Sequence, residues 1–186
     1  MSSGRLIVLA SPAGGGKSTV IQKLRERHPD WTFSVSATTR KPRRGEEDGR
    51  EYYFFTRDEF LRRLNQGEFL EHEEVHGEWY GTLLKPTHER LVRDETLIFD
   101  VDVKGALNIK HTFPEALTIF LLPPSREALH ERLKKRRTES PQLIERRLER
   151  ADMELALASQ FDIQIVNDDL ERTVNEVDRA IAHAHF

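Results

Sequence analysis

The run Ser11-Pro12-Ala13-Gly14-Gly15-Gly16-Lys17-Ser18-Thr19 combines the residue types that grip a polyphosphate. Glycines let successive backbone N–H groups turn inward around phosphate oxygens, with the positive end of a following helix behind them. Lys17 can then reach the β- and γ-phosphates, and the Ser18 hydroxyl can ligate Mg²⁺. Against the full pattern G-x-x-x-x-G-K-[ST], Ser11 stands at the first glycine position. An ordinary backbone conformation at Ser11 would still form the turn. A strand-like run precedes the segment and a helix-like one follows, the context a phosphate loop requires; a glycine-rich surface loop is the alternative.

A second set of chemistry-bearing residues follows. Arg40, Lys41, Arg43 and Arg44 place four cations in five positions beside the hydroxyls of Ser36 and Thr38. Arginine forks match phosphate oxygens, so Arg40 and Arg43 could clamp a phosphate, or the segment could be a solvated loop. Asp100 and Asp102 close an apolar strand, where an open α/β sheet meets its ligand. Further cations, from Arg132 to Arg137 and at Arg146 and Arg147, lie on two helical stretches either side of residues 138–141. That composition suits a lid over phosphate, or two exposed helices laced with Glu127, Glu131, Glu145 and Glu149.

Something must position these groups. Short apolar runs at 6–10, 96–101, 116–122 and 163–166 alternate with amphipathic stretches at 18–27, 57–65, 86–92, 104–110, 126–136, 141–158 and 170–183. That rhythm predicts an α/β fold, a parallel sheet layered between helices. Pro123-Pro124-Ser125 reads as a strand-to-helix start with Ser125 as N-cap. Between 35 and 85 the pattern changes to short strands near 33–36, 51–55 and 69–75, predicting a small β-rich insertion. With 186 residues, one core is expected. The predicted division is a core of 1–34, 86–125 and 151–186, a lobe of about 35–85 and a lid of about 126–150.

Composition narrows the partners. A net charge of −3 and a pI near 6.3 lack the basic footprint of nucleic-acid binding, so anions must be met by local clusters. There are no cysteines, which excludes disulfides and thiolate metal sites and is compatible with a reducing cytoplasm. No apolar run approaches the ~20 residues of a membrane span. A soluble cytoplasmic protein is expected, of undetermined oligomeric state.

The block from Phe33 to Arg43, followed by Gly45-Glu46 and Tyr52, resembles the monophosphate-binding segment of guanylate kinases. The blocks 77–82, 99–105 and 165–169 resemble the same family in order and spacing, so the likeness spans nearly the whole chain. Departures are Ser11 and Ala13 in the loop, Lys104, and Arg137 where a glycine is usual. The resemblance implies a phosphate-loop kinase core with a GMP-binding lobe and a helical lid, transferring phosphate from ATP to GMP (and dGMP) with Mg²⁺, in purine nucleotide metabolism. By resemblance, Arg40, Arg43, Tyr52 and Tyr80 hold the GMP phosphate, and Ser36, Glu71, Thr82 and Asp102 read guanine. The same likeness gives Arg136 and Arg147 the transferring phosphate, Asn167 the adenine, and Asp100 a Mg²⁺-bound water beside Ser18. The guanine edge presents N1–H and the N2 amine side by side, which an ionised Glu71 can accept and which adenine does not offer. Two other readings remain: a kinase for a different small phosphate ester, and a guanylate-kinase-like domain repurposed for binding.

Overall fold

The computed structural model describes residues 4–75, 77–134 and 141–184. A five-stranded sheet forms its centre: β1 (Arg5–Ala10), β2 (Thr32–Phe33), β7 (Thr96–Asp100), β8 (Leu117–Leu122) and β9 (Ile163–Val166), in the spatial order β2-β7-β1-β8-β9. All its pairings are parallel. After the exposed Arg5, β1 is apolar because both faces are covered. Its side chains alternate between two cores. Leu6, Val8 and Ala10 pack with Phe99 and Phe120 against α4 (Val103–Thr112). Ile7 and Leu9 pack with Ile98 and Ile119 against α1 (Lys17–Arg27) and α7 (Leu170–His183). Each fully buried side chain of this size contributes roughly 1.5–3 kcal/mol, which makes this sheet the rigid part of the molecule.

β1 lies between strands reached by opposite turns of the chain, so the crevice at the carboxyl ends of β1, β7 and β8 is the topological switch point. The phosphate loop leaves β1 there. Leu9 pairs in register with Asp100 at the end of β7, which sets Asp100 beside the loop's first residue. Asn167, just past β9, donates its backbone N–H to Leu122 O at 2.7 Å and extends the same rim.

The insertion is a four-stranded sheet of order β4-β3-β6-β5, from β3 (Ser36–Thr38), β4 (Tyr52–Phe54), β5 (Phe69–Val75) and β6 (Glu78–Leu83). The apolar stretch near 33–36 is shared: Thr32–Phe33 joins the main sheet and Ser36–Thr38 the small one. β6 has no counterpart among the predicted strands, since Gly77, Gly81 and its polar residues break the β-like composition. α2 (Arg57–Asn65) starts at Thr56, whose hydroxyl accepts from the Glu59 N–H at 3.2 Å, and anchors through Phe60, stacked 4.3 Å from Phe69. α3 (Leu84–Val92) returns the chain to the core. Ser125 caps α5 (Arg126–Lys134) by accepting the Ala128 N–H at 3.0 Å, as expected. α6 (Pro141–Ala156) packs on α5 through Ala151 and Leu148 against Leu129 and Leu133.

Candidate active site

Gly14 and Gly16 adopt φ of 82° and 87°, which turns the loop into α1. An L side chain in that region costs about 1–2 kcal/mol. At Gly15 the constraint is space: a Cβ there would lie 2.8 Å from the Ser11 side chain and 2.9 Å from Pro12 O. Ser11 itself is buried, and Asp94 is the one non-glycine with positive φ among the described residues, so the first loop position requires no glycine. Ser11–Thr19, with Pro12 and Ala13, line a cleft of about 640 Å³. Asp100, Val101, Asp102, Arg146, Arg147, Arg150 and Glu154 complete its walls.

Lys17 forms an ion pair with Asp100 and donates to Val101 O at 2.6 Å. Arg147 and its neighbour Arg146 both reach the cleft from α6; Arg136 lies outside the described residues. Asn167 is buried behind the loop, its Nδ2 donating to Gly15 O at 2.7 Å. Arg132 donates to Asn167 O at 2.9 Å. Together with Gly14, Gly16, Thr19, Asp168 and Leu170 they line a smaller hollow of about 340 Å³. Asn167→Ala removes the bond that ties β9 to the loop, so stability should fall by about 1–2 kcal/mol. The loosened loop should weaken polyphosphate binding about fivefold, a ~1 kcal/mol effect. Urea denaturation and titration with a nucleoside triphosphate measure the two effects.

A second pocket of about 270 Å³ is lined by Ser36, Tyr52, Glu71, Glu73, Tyr80, Gly81 and Asp100–Asp102. It shares the Asp100–Asp102 wall with the first. A register shift in β5 between Phe69 and Glu71 places Glu71 opposite Thr82, whose hydroxyl donates to Glu71 Oε1 at 2.6 Å. Gly81 permits this pairing, because a Cβ there would stand 2.7 Å from Glu71 O. Glu71 is 8% exposed, and burial pushes its carboxyl up to about 6. Asp102 caps α4 by accepting the Gly105 N–H at 2.7 Å. Thr82 is buried and reaches the pocket through Glu71.

Of the predicted phosphate clamp, Arg40 is held by Glu46 in a two-bond fork, 2.9 Å in each arm, with its guanidinium 5.3 Å above the Tyr52 ring. The Arg40 fork is the leading cause of the lowered Glu46 carboxyl. The Tyr52 ring stands edge-on to Tyr80, 6.1 Å apart, and burial raises its phenol. The structure does not bring Arg43 into this pocket: its side chain is exposed, and its backbone N–H donates to Glu46 at 2.7 Å.

Three residues were not singled out by their own spacing. Glu73, raised by burial and then by its contact with Asp102, lines the second pocket. Arg150 and Glu154 reach the site from α6. Glu73 belongs to an acidic run that reads as solvent-facing, and Arg150 to a mixed-charge helix. The one available signal is the i,i+4 spacing of Arg150 and Glu154.

The guanylate kinase family model matches residues 3–184. The chain belongs to the guanylate kinase family. Its similarity to curated guanylate kinases runs along the full length. It is 50% identical over 183 residues to one from Chlorobaculum tepidum, covering 98% of this chain and 94% of the relative. To one from a Synechocystis species it is 46% identical over 178 residues, covering 96% and 93%. The crystal structure of guanylate kinase from Anaplasma phagocytophilum superposes with a TM-score of 0.78 at 34% identity, covering all of this chain and 89% of that one. The fold is therefore that of the family: a layered α/β core carrying a phosphate loop.

Proposed function

We propose that this chain transfers the γ-phosphoryl group of ATP to a phosphate oxygen of GMP, and of dGMP, yielding ADP and GDP or dGDP. The observation that carries the reading is the shared Asp100–Asp102 wall. It joins the loop cleft to a pocket lined by buried Glu71, which the Thr82 hydroxyl holds by a hydrogen bond. Two nucleotides bound there would meet with their phosphates at that wall.

The nucleophile is already an anionic phosphate oxygen, so in-line positioning and neutralisation of charge supply the acceleration and a dedicated base is unnecessary. In this reading, Lys17 leaves Asp100 for the β- and γ-phosphates, while Arg147 and Arg136 add positive charge from the lid. Arg40, Arg43, Tyr52 and Tyr80 take the acceptor phosphate; Arg43 would have to turn inward from solvent to do so. Ionised Glu71 accepts the guanine donors, Ser36 and Thr82 present hydroxyls, and Asp102 accepts at the same edge. Asn167 flanks the adenine. The division into core, lobe (35–85) and lid (126–150) belongs to the same proposal, closure serving to exclude water from the γ-phosphate.

The Ser18 hydroxyl and the Asp100 carboxylate both line the loop cleft, a sparse oxygen donor set that fits Mg²⁺, which keeps several waters and takes phosphate oxygens. When bound, that ion neutralises phosphate charge and orients the β- and γ-oxygens. A cytoplasmic setting follows from the substrates. Among the described residues no helix is long and apolar enough to cross a membrane.

An acceptor panel tests the reading. With ATP and Mg²⁺, kcat/KM for GMP should exceed that for AMP and dTMP by about 10⁴-fold, since a site of buried polar groups rejects bases that leave them unpaired. Equal turnover of AMP would redirect the reading to another nucleotide, and ATP binding without any turnover would make the chain a binding module.

A further inference from the structure

Arg150 stands where the two pockets and the lid helix meet. One of its terminal nitrogens donates to Glu73 at 3.0 and 3.3 Å and to Asp102 Oδ2 at 3.4 Å. Its Nε donates to Glu154 Oε1 at 2.9 Å. Glu154 is itself buried, and its other oxygen accepts the Ala13 N–H of the phosphate loop at 3.1 Å. One guanidinium thus serves three carboxylates, two of which line the acceptor-side pocket beside a third pocket carboxylate, Glu71.

That pocket has a charge problem. Its ligand is an anion, and Glu71, Glu73 and Asp102 gather at the end meant for the base. Lys17 is engaged at Asp100, and Arg40 is committed to Glu46. Arg150 touches both Glu73 and Asp102. Without it, the Glu73 and Asp102 carboxylates, both within reach of the same guanidinium nitrogen, would repel each other across the pocket. Glu154 fixes the guanidinium from behind, so its aim is built into α6.

We propose that Arg150 is a positioning residue for acceptor recognition: one terminal nitrogen bridges the Glu73 and Asp102 carboxylates and holds Asp102 aimed to accept from guanine, which makes the lid helix part of the acceptor site. The role rests on the GMP-phosphorylating reading above. Glu73 is its counterweight, a pocket carboxylate that is tolerable only while Arg150 is present.

The experiment is steady-state kinetics on Arg150→Gln and on the double variant Arg150→Gln/Glu73→Gln, with thermal melts to compare folding. Arg150→Gln is expected to raise the KM for GMP about tenfold, with kcat and the KM for ATP within about twofold. Adding Glu73→Gln should return the KM for GMP to within about threefold of the parent, because it removes the uncompensated charge. A purely structural role for Arg150 would displace α6, and with it the Glu154 contact to Ala13. It would then raise the KM for ATP in both variants and show no rescue, which overturns the proposal. An unchanged KM for GMP in Arg150→Gln overturns it as well. If the parent protein itself fails to turn over GMP, the activity reading falls and the Arg150 role falls with it; parental turnover with an insensitive Arg150→Gln removes only the latter.

Discussion

Replacing Glu71 by Gln is expected to cut kcat/KM for GMP about a thousandfold while making the folded protein more stable at pH 7 by about 2 kcal/mol. Both effects follow from the burial of one carboxylate. Hydrogen bonds to a charged acceptor are worth about 1.5–3 kcal/mol each, and guanine offers two side by side. Glutamine presents an N–H₂ where one of these donors arrives, so about 4 kcal/mol of recognition, some thousandfold, is lost.

Stability moves the other way. Burial pushes Glu71 from 4.5 up to about 6, with the Thr82 hydroxyl and Lys17 opposing the rise and Asp102 adding to it. A folded-state value above the unfolded one means that the stability contribution is complete below about pH 4.5 and is lost as pH rises through about 6. At ~1.4 kcal/mol per unit, the neutral amide recovers about 2 kcal/mol at pH 7 and nothing at pH 4. Urea titrations of both proteins at the two pH values measure this. Acceptor recognition needs the carboxylate ionised, so kcat/KM for GMP should climb as pH rises through 6 and then level off. The phosphate of GMP titrates in the same range. The profile of the Gln variant therefore supplies the reference, and the Glu71 limb is the difference between the two curves. A variant retaining GMP turnover within tenfold of the parent would refute the assignment of Glu71 to the base.

Lys17→Met should lower kcat about a thousandfold with little change in stability. A single preorganised donor aimed at developing charge is worth about 10²–10³ in rate, and a full positive charge on the transferring group lies at the upper end. Lys17 is paired with Asp100 and bonded to Val101 O, on the wall that the two pockets share. In the reaction proposed above, that wall is where donor and acceptor phosphates meet. Removing it leaves Asp100, whose side chain is 40% exposed, to water. A pair with one partner this open to water contributes about 1 kcal/mol or less, so the melting transition should barely move. Single-turnover measurements with saturating ATP and GMP separate chemistry from binding; a kcat within tenfold of the parent would exclude the role.

Much of this was legible before the chain folded. A phosphate loop is a contiguous device, so nine neighbouring residues state it completely. Two-sided burial makes central parallel strands continuous apolar runs, which is why four of the five core strands stand out. The fifth, Thr32–Phe33, is two residues long and merges with the strand beginning at Ser36; only pairing with β7 or with β6 separates them. The Glu71–Thr82 pair depends on a register shift that no local pattern announces.

The limits have the same physical origin. Sequence by itself determined which groups exist and which neighbours they have: the loop, the cation cluster at 40–44, the acidic strand end at 100–102 and the charged helices. Tertiary structure decided which of them meet, and at what charge. It tied Arg40 to Glu46 and left Arg43 outward. It stationed Lys17 at Asp100, buried Asn167 behind the loop, and gathered Glu73, Asp102 and Glu154 around the Arg150 guanidinium. Periodicity and capping act over a few residues and can be read locally. Desolvation and pairing of charges act between segments far apart in the chain, and they take their values only when the fold has removed the water between them.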